Sequence, residues 1–347
     1  VPLRRKLLIL VATLGIFFLL LIAAGVALLF SPLLTHYLQG DAFRIAMEQE
    51  TAKGLHFPRA RYAPIRRIGP LAAQSDSFEA DKGRKAMKSL NAHGITAKFD
   101  PWGVFLRQWR FTDVHVRSGD VGIQIYQANP EAVPNKPWFA IFLPNRVYLE
   151  KIESEQANIT WRFRGEQAGF FGTHLLITPN GRDFEYVATG GRFKMSVVPD
   201  LDLRRIHVLI TKTLLSLYDL DFASDSHSDE MIRVQGRAGV GQDRSVDAKA
   251  NFKSVPIHEW LPAEWNDRMK GSAFGDVHWT GKDPKLENSS GEGSLRIQNG
   301  RIDDVPFLNK LAELARKKSF ERLDLNECSL SFAWRYPEID MKDISIE

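Results

Sequence analysis

Residues 246–252 read Val246-Asp247-Ala248-Lys249-Ala250-Asn251-Phe252, an apolar side chain at every second position with a charge or an amide between. Successive side chains of a β-strand point to opposite faces, so this segment presents one apolar face and one wet face. A helix would scatter the same residues around its whole circumference. The alternation recurs outward from this point: Ala157, Ile159, Trp161 and Phe163; Phe193, Met195 and Val197; Ile206, Val208 and Ile210; Leu330, Phe332 and Trp334. Turn-forming residues punctuate the runs at Ser118-Gly119-Asp120, Pro179-Asn180-Gly181, Thr189-Gly190-Gly191, Gly291-Glu292-Gly293 and Asn299-Gly300. Two longer breaks, 128–137 and 281–293, are expected to be loops. The pattern predicts a mainly β chain with a few helices, its strands joined as antiparallel neighbours.

The helices stand out by their spacing. Ser31-Pro32 reads as a helix start, Leu33, Leu34, Tyr37 and Leu38 follow at helical intervals, and Asp41 opens a second stretch ending at Gly54. Such an amphipathic segment either lies on a membrane surface, caps the open end of a sheet, or packs as an ordinary helix on the domain. A short helix is expected within 256–269. Another, capped by Asp304, is expected through Pro306, Leu308, Leu311, Leu314 and Ala315.

Ahead of these lies an uninterrupted apolar run without a charge over residues 7–30. As a helix it extends about 36 Å, enough to cross a hydrocarbon core of about 30 Å with some tilt. A cleavable signal core is shorter, and here the apolar run continues beyond the small residues Ala23, Ala24, Gly25 and Ala27. Arg4, Arg5 and Lys6 flank only its N-terminal side, which sets the topology: N-terminus cytoplasmic, everything after Ser31 across the membrane. The organisation expected is a cytoplasmic basic stub (1–6), a transmembrane helix (7–30), an amphipathic helical segment (31–54) and a β-rich domain (55–347).

Composition limits the function. The formal net charge is +4, most of it in the basic stub, so the folded part is near neutral and lacks the basic face that nucleic acid requires. Arg59, Arg61, Arg66 and Arg67 form the one basic cluster, read either as a solvated strand face or as a contact for anionic lipid head groups. One cysteine, Cys328, leaves no internal disulfide and reads as a half-buried strand residue. Nine histidines are scattered singly; His207 and His278 are expected to face outward from strands. Asp225, Asp229 and Glu230 sit in a serine-rich run that reads as a solvated hairpin loop. No nucleophile, metal set, cofactor motif or acid/base pair is apparent, and a non-enzymatic protein is expected.

Several segments together resemble the AsmA-like family of bacterial envelope proteins. The likeness rests on the basic stub, membrane helix and amphipathic helix; on Ile257-His258-Glu259-Trp260-Leu261-Pro262 followed by Met269-Lys270-Gly271-Ser272-Ala273-Phe274-Gly275 and Trp279-Thr280-Gly281; and on Gly291-Glu292-Gly293-Ser294-Leu295-Arg296-Ile297-Gln298-Asn299-Gly300-Arg301-Ile302 with Val305-Pro306-Phe307-Leu308-Asn309-Lys310-Leu311. It implies an inner-membrane anchor and a periplasmic domain built on a long curved antiparallel sheet, whose apolar groove moves or organises phospholipid between inner and outer membranes. It also implies further strands, so the β-rich region is expected to be incomplete at its C-terminal end.

On this reading Ile159, Trp161, Phe163, Phe193, Met195, Val197, Val246, Ala248 and Phe252 line the groove, membrane phospholipid is the partner, and no cofactor is needed. In the alternative fold they form the core of a closed β-sandwich. The alternative function is an anchored scaffold or assembly factor that engages outer-membrane or periplasmic envelope proteins and carries no lipid. A reporter enzyme fused after Gly54 is expected to be active only across the membrane; activity in the cytoplasm would overturn the topology.

Overall fold

Ser31-Pro32 does begin a helix, and the computed structural model carries it as α1 (Pro32–Gln39), with α2 (Asp41–Leu55) following after Gly40. The structure describes residues 27, 31–83, 87–105, 108–124, 146–181, 183–211, 213–223, 231–239, 244–283, 286–303, 305–318 and 322–347. The stub 1–6, the apolar run over 7–30 apart from residue 27, the loop 128–137, the acidic run at Asp225, Asp229 and Glu230, and Asp304 lie outside them. Among the described residues no helix is long and apolar enough to cross a membrane. The described residues are mainly β, 69% strand and 16% helix, and the chain divides into two compact units, Val1–Gly119 with Pro130–Glu150 and Asp120–Asn129 with Lys151–Glu347.

The first unit holds β1 (Arg59–Tyr62), β2 (Arg66–Gly69), β3 (Ala72–Asp81), β4 (Met87–Phe99), α3 (Trp102–Phe105), most of β5 (Gln108–Ile123) and β6 (Arg146–Leu149). β1 and β2 both pair antiparallel with β3, and β3 pairs with β4. The amphipathic question resolves toward packing. Phe43, Met47 and Ala52 of α2 are buried; the first two join Phe111 in one cluster, and Ala52 joins Phe57, Phe78 and Val116 in another. Phe43 also meets Trp109 edge-on at 4.9 Å. Glu48 adds a polar clamp, accepting from the Tyr62 backbone N–H at 2.9 Å and from Arg44 at 2.8 Å. Tyr62 lies beneath, its hydroxyl 3.3 Å from Thr51, and burial pushes its phenol pKa up. The helix ends at His56 in the left-handed conformation (φ 60°), not at Gly54.

The second unit is a hairpin succession: β7 (Ile152–Phe163), β8 (Glu166–Asn180), β9 (Asp183–Thr189), β10 (Arg192–Met195), β11 (Val198–Ile210), β12 (Leu214–Ala223), β13 (Met231–Gly239), β14 (Val246–Pro256), β15 (Met269–Gly281), β16 (Ser289–Asp303), β17 (Arg322–Arg335) and β18 (Glu338–Ile346). β9 and β10 run in line, both between β8 and β11, as two halves of one strand broken at Gly190-Gly191. From β11 onward each strand pairs antiparallel with the next. The short helices α4 (Ile257–Trp260) and α5 (Ala263–Asn266) follow β14 and are separated by Leu261-Pro262; α4 touches both β15 and β11. α6 (Pro306–Ala315) buries Leu308 and Ala312, one turn apart.

Several sequence expectations are corrected. The sheet is not wholly antiparallel, because β6 pairs parallel with β5, where Arg110 reaches Glu150 and, at 3.3 Å, Asp100. Ser118-Gly119-Asp120 lies inside β5, while Gly291-Glu292-Gly293 and Asn299-Gly300 lie inside β16. Those glycines make room on a strand face instead of reversing the chain. The expected loop over 281–293 therefore shrinks to the few residues between β15 and β16. Val305, not Asp304, occupies the N-cap of α6, with no side-chain cap bond.

Replacing Glu48 with Leu removes the carboxylate that accepts the Tyr62 N–H while keeping the helix. A loss of about 1–3 kcal/mol in unfolding free energy is expected from denaturant titration. An unchanged midpoint would mean that the clamp is ornamental.

Candidate functional site

Directly opposed residues of an antiparallel pair face the same way, so register traces a surface across many strands. In the second unit one row runs Ile159, Phe170, Phe193 and Leu201. Two residues on from Leu201, on the same face, Leu203 begins a second row through Phe222, Ile232, Phe252, Gly275, Leu295 and Leu330. Val246, Ala248 and Ala250 share the face of Phe252, opposite Gly281, Trp279 and Val277. Eight of the nine proposed apolar candidates thus fall on strands of this meander, and the alternation found in β14 holds on its neighbours.

The face has two regions of different character. Around β7 to β12 it is closed: Ala157, Leu175, Phe193, Leu201, Leu203 and Phe222 are buried, with Ile159, Trp161 and Met195 packed against them. Phe193 is the hub, its ring centroid 5.2 Å from those of both Phe170 and Phe222 and 6.3 Å from that of Trp161. Beyond β12 the face opens. Among the described strand residues from β13 to β18, only Val255 and Ala273 are buried apolar side chains. Val246, Ala248, Phe252, Val277, Trp279, Leu295, Phe332 and Trp334 are only half-buried. In a closed sandwich a second layer would bury them.

Small residues shape the open region. A Cβ on Gly291 would lie 2.0 Å from the Trp334 ring, one on Gly293 2.9 Å from Phe332 and one on Gly275 2.7 Å from Phe252. Each aromatic ring thus lies across a glycine of the neighbouring strand. Trp279 and Trp334 flank Gly291 in one register row, and both indole Nε1 atoms are buried without a hydrogen-bond partner. An unmatched buried N–H costs about 1–3 kcal/mol, which ordinary packing does not recover.

Val197 leaves the face, and Phe163 lies at its margin. Val197 is 45% exposed in the turn between β10 and β11, because the alternation through Phe193 and Met195 ends where the chain reverses. Phe163 ends β7, half-buried with the Arg164 guanidinium 5.6 Å over its ring. The basic cluster also divides. Arg59 and Arg61 are exposed on β1, and Arg66 faces Asp76 at 3.4 Å. Arg67 is a structural tie, donating to Thr35 Oγ1 at 2.7 Å and to the carbonyls of Gly69 and Pro70.

Sequence reading missed Val234, Val277, Trp279 and Leu295, whose strands carry glycine and alanine where a stronger apolar signal was sought. The opposite face is polar, with Asp221 bonded to Arg233 at 2.7 Å and His278 to Asp247 at 2.8 Å. His207 is not simply outward: it is part-buried, bonded to Glu185, and its ring lies tilted against Tyr218 with centroids 4.8 Å apart. Cys328 is half-buried in β17.

The closed and open regions are expected to answer a buried charge differently. Leu203, 3% exposed, lies in the closed cluster, so Leu203→Glu should lower stability by more than about 3 kcal/mol. Val246→Glu should cost about 1 kcal/mol or less, because the carboxylate keeps water. Thermal melts of the two variants check this; equal collapse would show a covered face at β14. Comparison with protein-family models, with curated proteins and with solved structures gives no match to this chain.

Proposed function

We propose that this chain is a membrane-anchored envelope protein that binds and conducts phospholipid along the apolar face of its second unit, between the inner and outer membranes of a bacterial cell. The supporting observation is the half-exposed apolar face that continues, in register, from the closed cluster at Phe193 and Phe222 through Phe252 to Phe332 and Trp334. Soluble proteins rarely leave so extended an apolar surface uncovered without using it. An acyl chain exposed to water costs about 0.8 kcal/mol per CH₂, so a two-chain lipid leaving a bilayer faces a barrier well above about 10 kcal/mol. Contact along such a face removes much of that cost. The apolar run over 7–30 and its one-sided basic flank support the anchor and the periplasmic placement, and the resemblance to AsmA-like proteins points the same way. On this reading the protein acts by binding, with no bond made or broken and no cofactor.

Mass spectrometry of lipids extracted from the purified protein tests the proposal. Wild type should carry abundant phospholipid, and Val246→Glu should remain folded while losing most of it, since an acyl chain would meet an unpaired carboxylate. A stable, lipid-free wild type would leave the proposal without support and favour the scaffold.

A further inference from the structure

The sheet of the first unit has two ends, and the helical segment starts at one of them. Along β3 the pairing runs from Ala72, opposite Gly69 of β2, to Asp81, opposite Arg59 of β1. Arg67 ties α1 to the Gly69 end, donating to Thr35 Oγ1 at 2.7 Å and to the carbonyls of Gly69 and Pro70. α2 then leads away from that end. Glu48 accepts the Tyr62 N–H, and Phe57 lies against Gly83, just past the far end of β3. The end that holds the start of α1 also carries apolar side chains in water. Ile68 is 54% exposed on β2, and Pro70 is exposed in the turn that follows. The Phe99 N–H donates to the Leu71 carbonyl at 2.7 Å, so β4 finishes beside the same turn; three residues on, Trp102 is 68% exposed. Asp100, between them, is engaged by Arg110 at 3.3 Å and by the Trp102 N–H at 3.0 Å. Single exposed apolar residues are ordinary on a protein surface. Their gathering beside the start of α1, directly after the apolar run over 7–30, is not.

We propose that this end of the first unit is seated in the lipid interface of the membrane, with Ile68 and Trp102 inserted at head-group level. The inference rests on the proposed anchor and adds to it an orientation for the first unit. Reach supports it. Thr35 is five residues beyond Phe30, so even a fully extended chain keeps it within about 17 Å of the end of the apolar run. Arg67 holds the β2–β3 turn to Thr35, and the turn is therefore held near the bilayer too. Trp suits that depth, because its ring is apolar and its N–H is not. Lys98, opposite Ala72 and 68% exposed, and Arg66, 69% exposed, stand where lipid phosphates would meet them. Arg59 belongs to the other end. Its partner Asp81 lies nine residues along β3 from Ala72, about 30 Å away, so the basic cluster divides between the membrane and the aqueous side.

The test places a single environment-sensitive NBD fluorophore on the full chain. In a Cys328→Ser background, Ile68→Cys, Trp102→Cys and Arg59→Cys are labelled one at a time and reconstituted into vesicles of phosphatidylethanolamine and phosphatidylglycerol. Flotation of the vesicles first reads the anchor. Lipids bearing a nitroxide near the head group should then quench the probes at positions 68 and 102 at least about twofold more than the probe at 59. Emission from the first two should also shift to the blue on leaving detergent-free buffer for the bilayer. Equal quenching at all three positions, or a water-like probe at 68 or at 102 on floating vesicles, would overturn the seating while leaving the anchor intact. Failure of the protein to float would remove the anchor and the seating together.

Discussion

The second unit depends on register. Its side chains have a period of two, so a slip of one residue between any two strands would turn the apolar set of one toward water and its polar set inward. Three bulges show how parity survives irregularity. Phe252 opposes Gly275 and Val255 opposes Ala273, with Ser254 at φ 58° taking up the extra residue. Between β15 and β16 the pairing passes from Ser272 opposite Gln298 to Lys270 opposite Arg301, with Asn299 at φ 51° within the longer side. In β18 Asp343, at φ 52°, sits within the register shift between Ser329 and Ser331. A single left-handed residue at each bulge lets the strand resume without exchanging its faces.

Register brings apolar residues to one face but does not cover them. Closure depends on side-chain size, and size changes along the meander. Phenylalanine and leucine on β8, β10, β11 and β12 are large enough to bury one another. Further on, the same face carries Gly236, Ala238, Ala248, Ala250, Gly275, Gly291 and Gly293, with aromatic rings set close over Gly275, Gly291 and Gly293. Rings set over small residues leave an apolar surface in partial contact with water. That contrast is the physical basis for proposing the open region as the ligand face, while the closed region serves stability.

In the first unit, tertiary contact also settled what periodicity left open. α2 had three plausible uses in sequence, and its apolar residues are equally compatible with lipid or protein. Phe43 and Met47 found Phe111 and Trp109, and Glu48 found a free strand N–H, so the helix protects the edge of β1. The parallel pairing of β6 was invisible for a related reason: four residues carry too little pattern to announce a partner far away in sequence, and its anchoring ion pair joins Arg110 to Glu150. Likewise, a glycine reads as a turn until the ring that lies over it is known.

The amino-acid sequence by itself determined the β class, the hairpin order around Pro179-Asn180-Gly181, the helices beginning at Pro32 and Pro306, and the faces of most strands. These are local properties: alternation, proline placement and turn chemistry act over a few residues. Only the tertiary structure decided that Gly291 and Gly293 belong to a strand, that Val197 leaves the apolar face, that Arg67 is tied to α1, and that the face is closed near Phe193 and open near Phe252. Burial is a property of what packs against a residue, and for a sheet that partner comes from strands distant in sequence or from nothing at all.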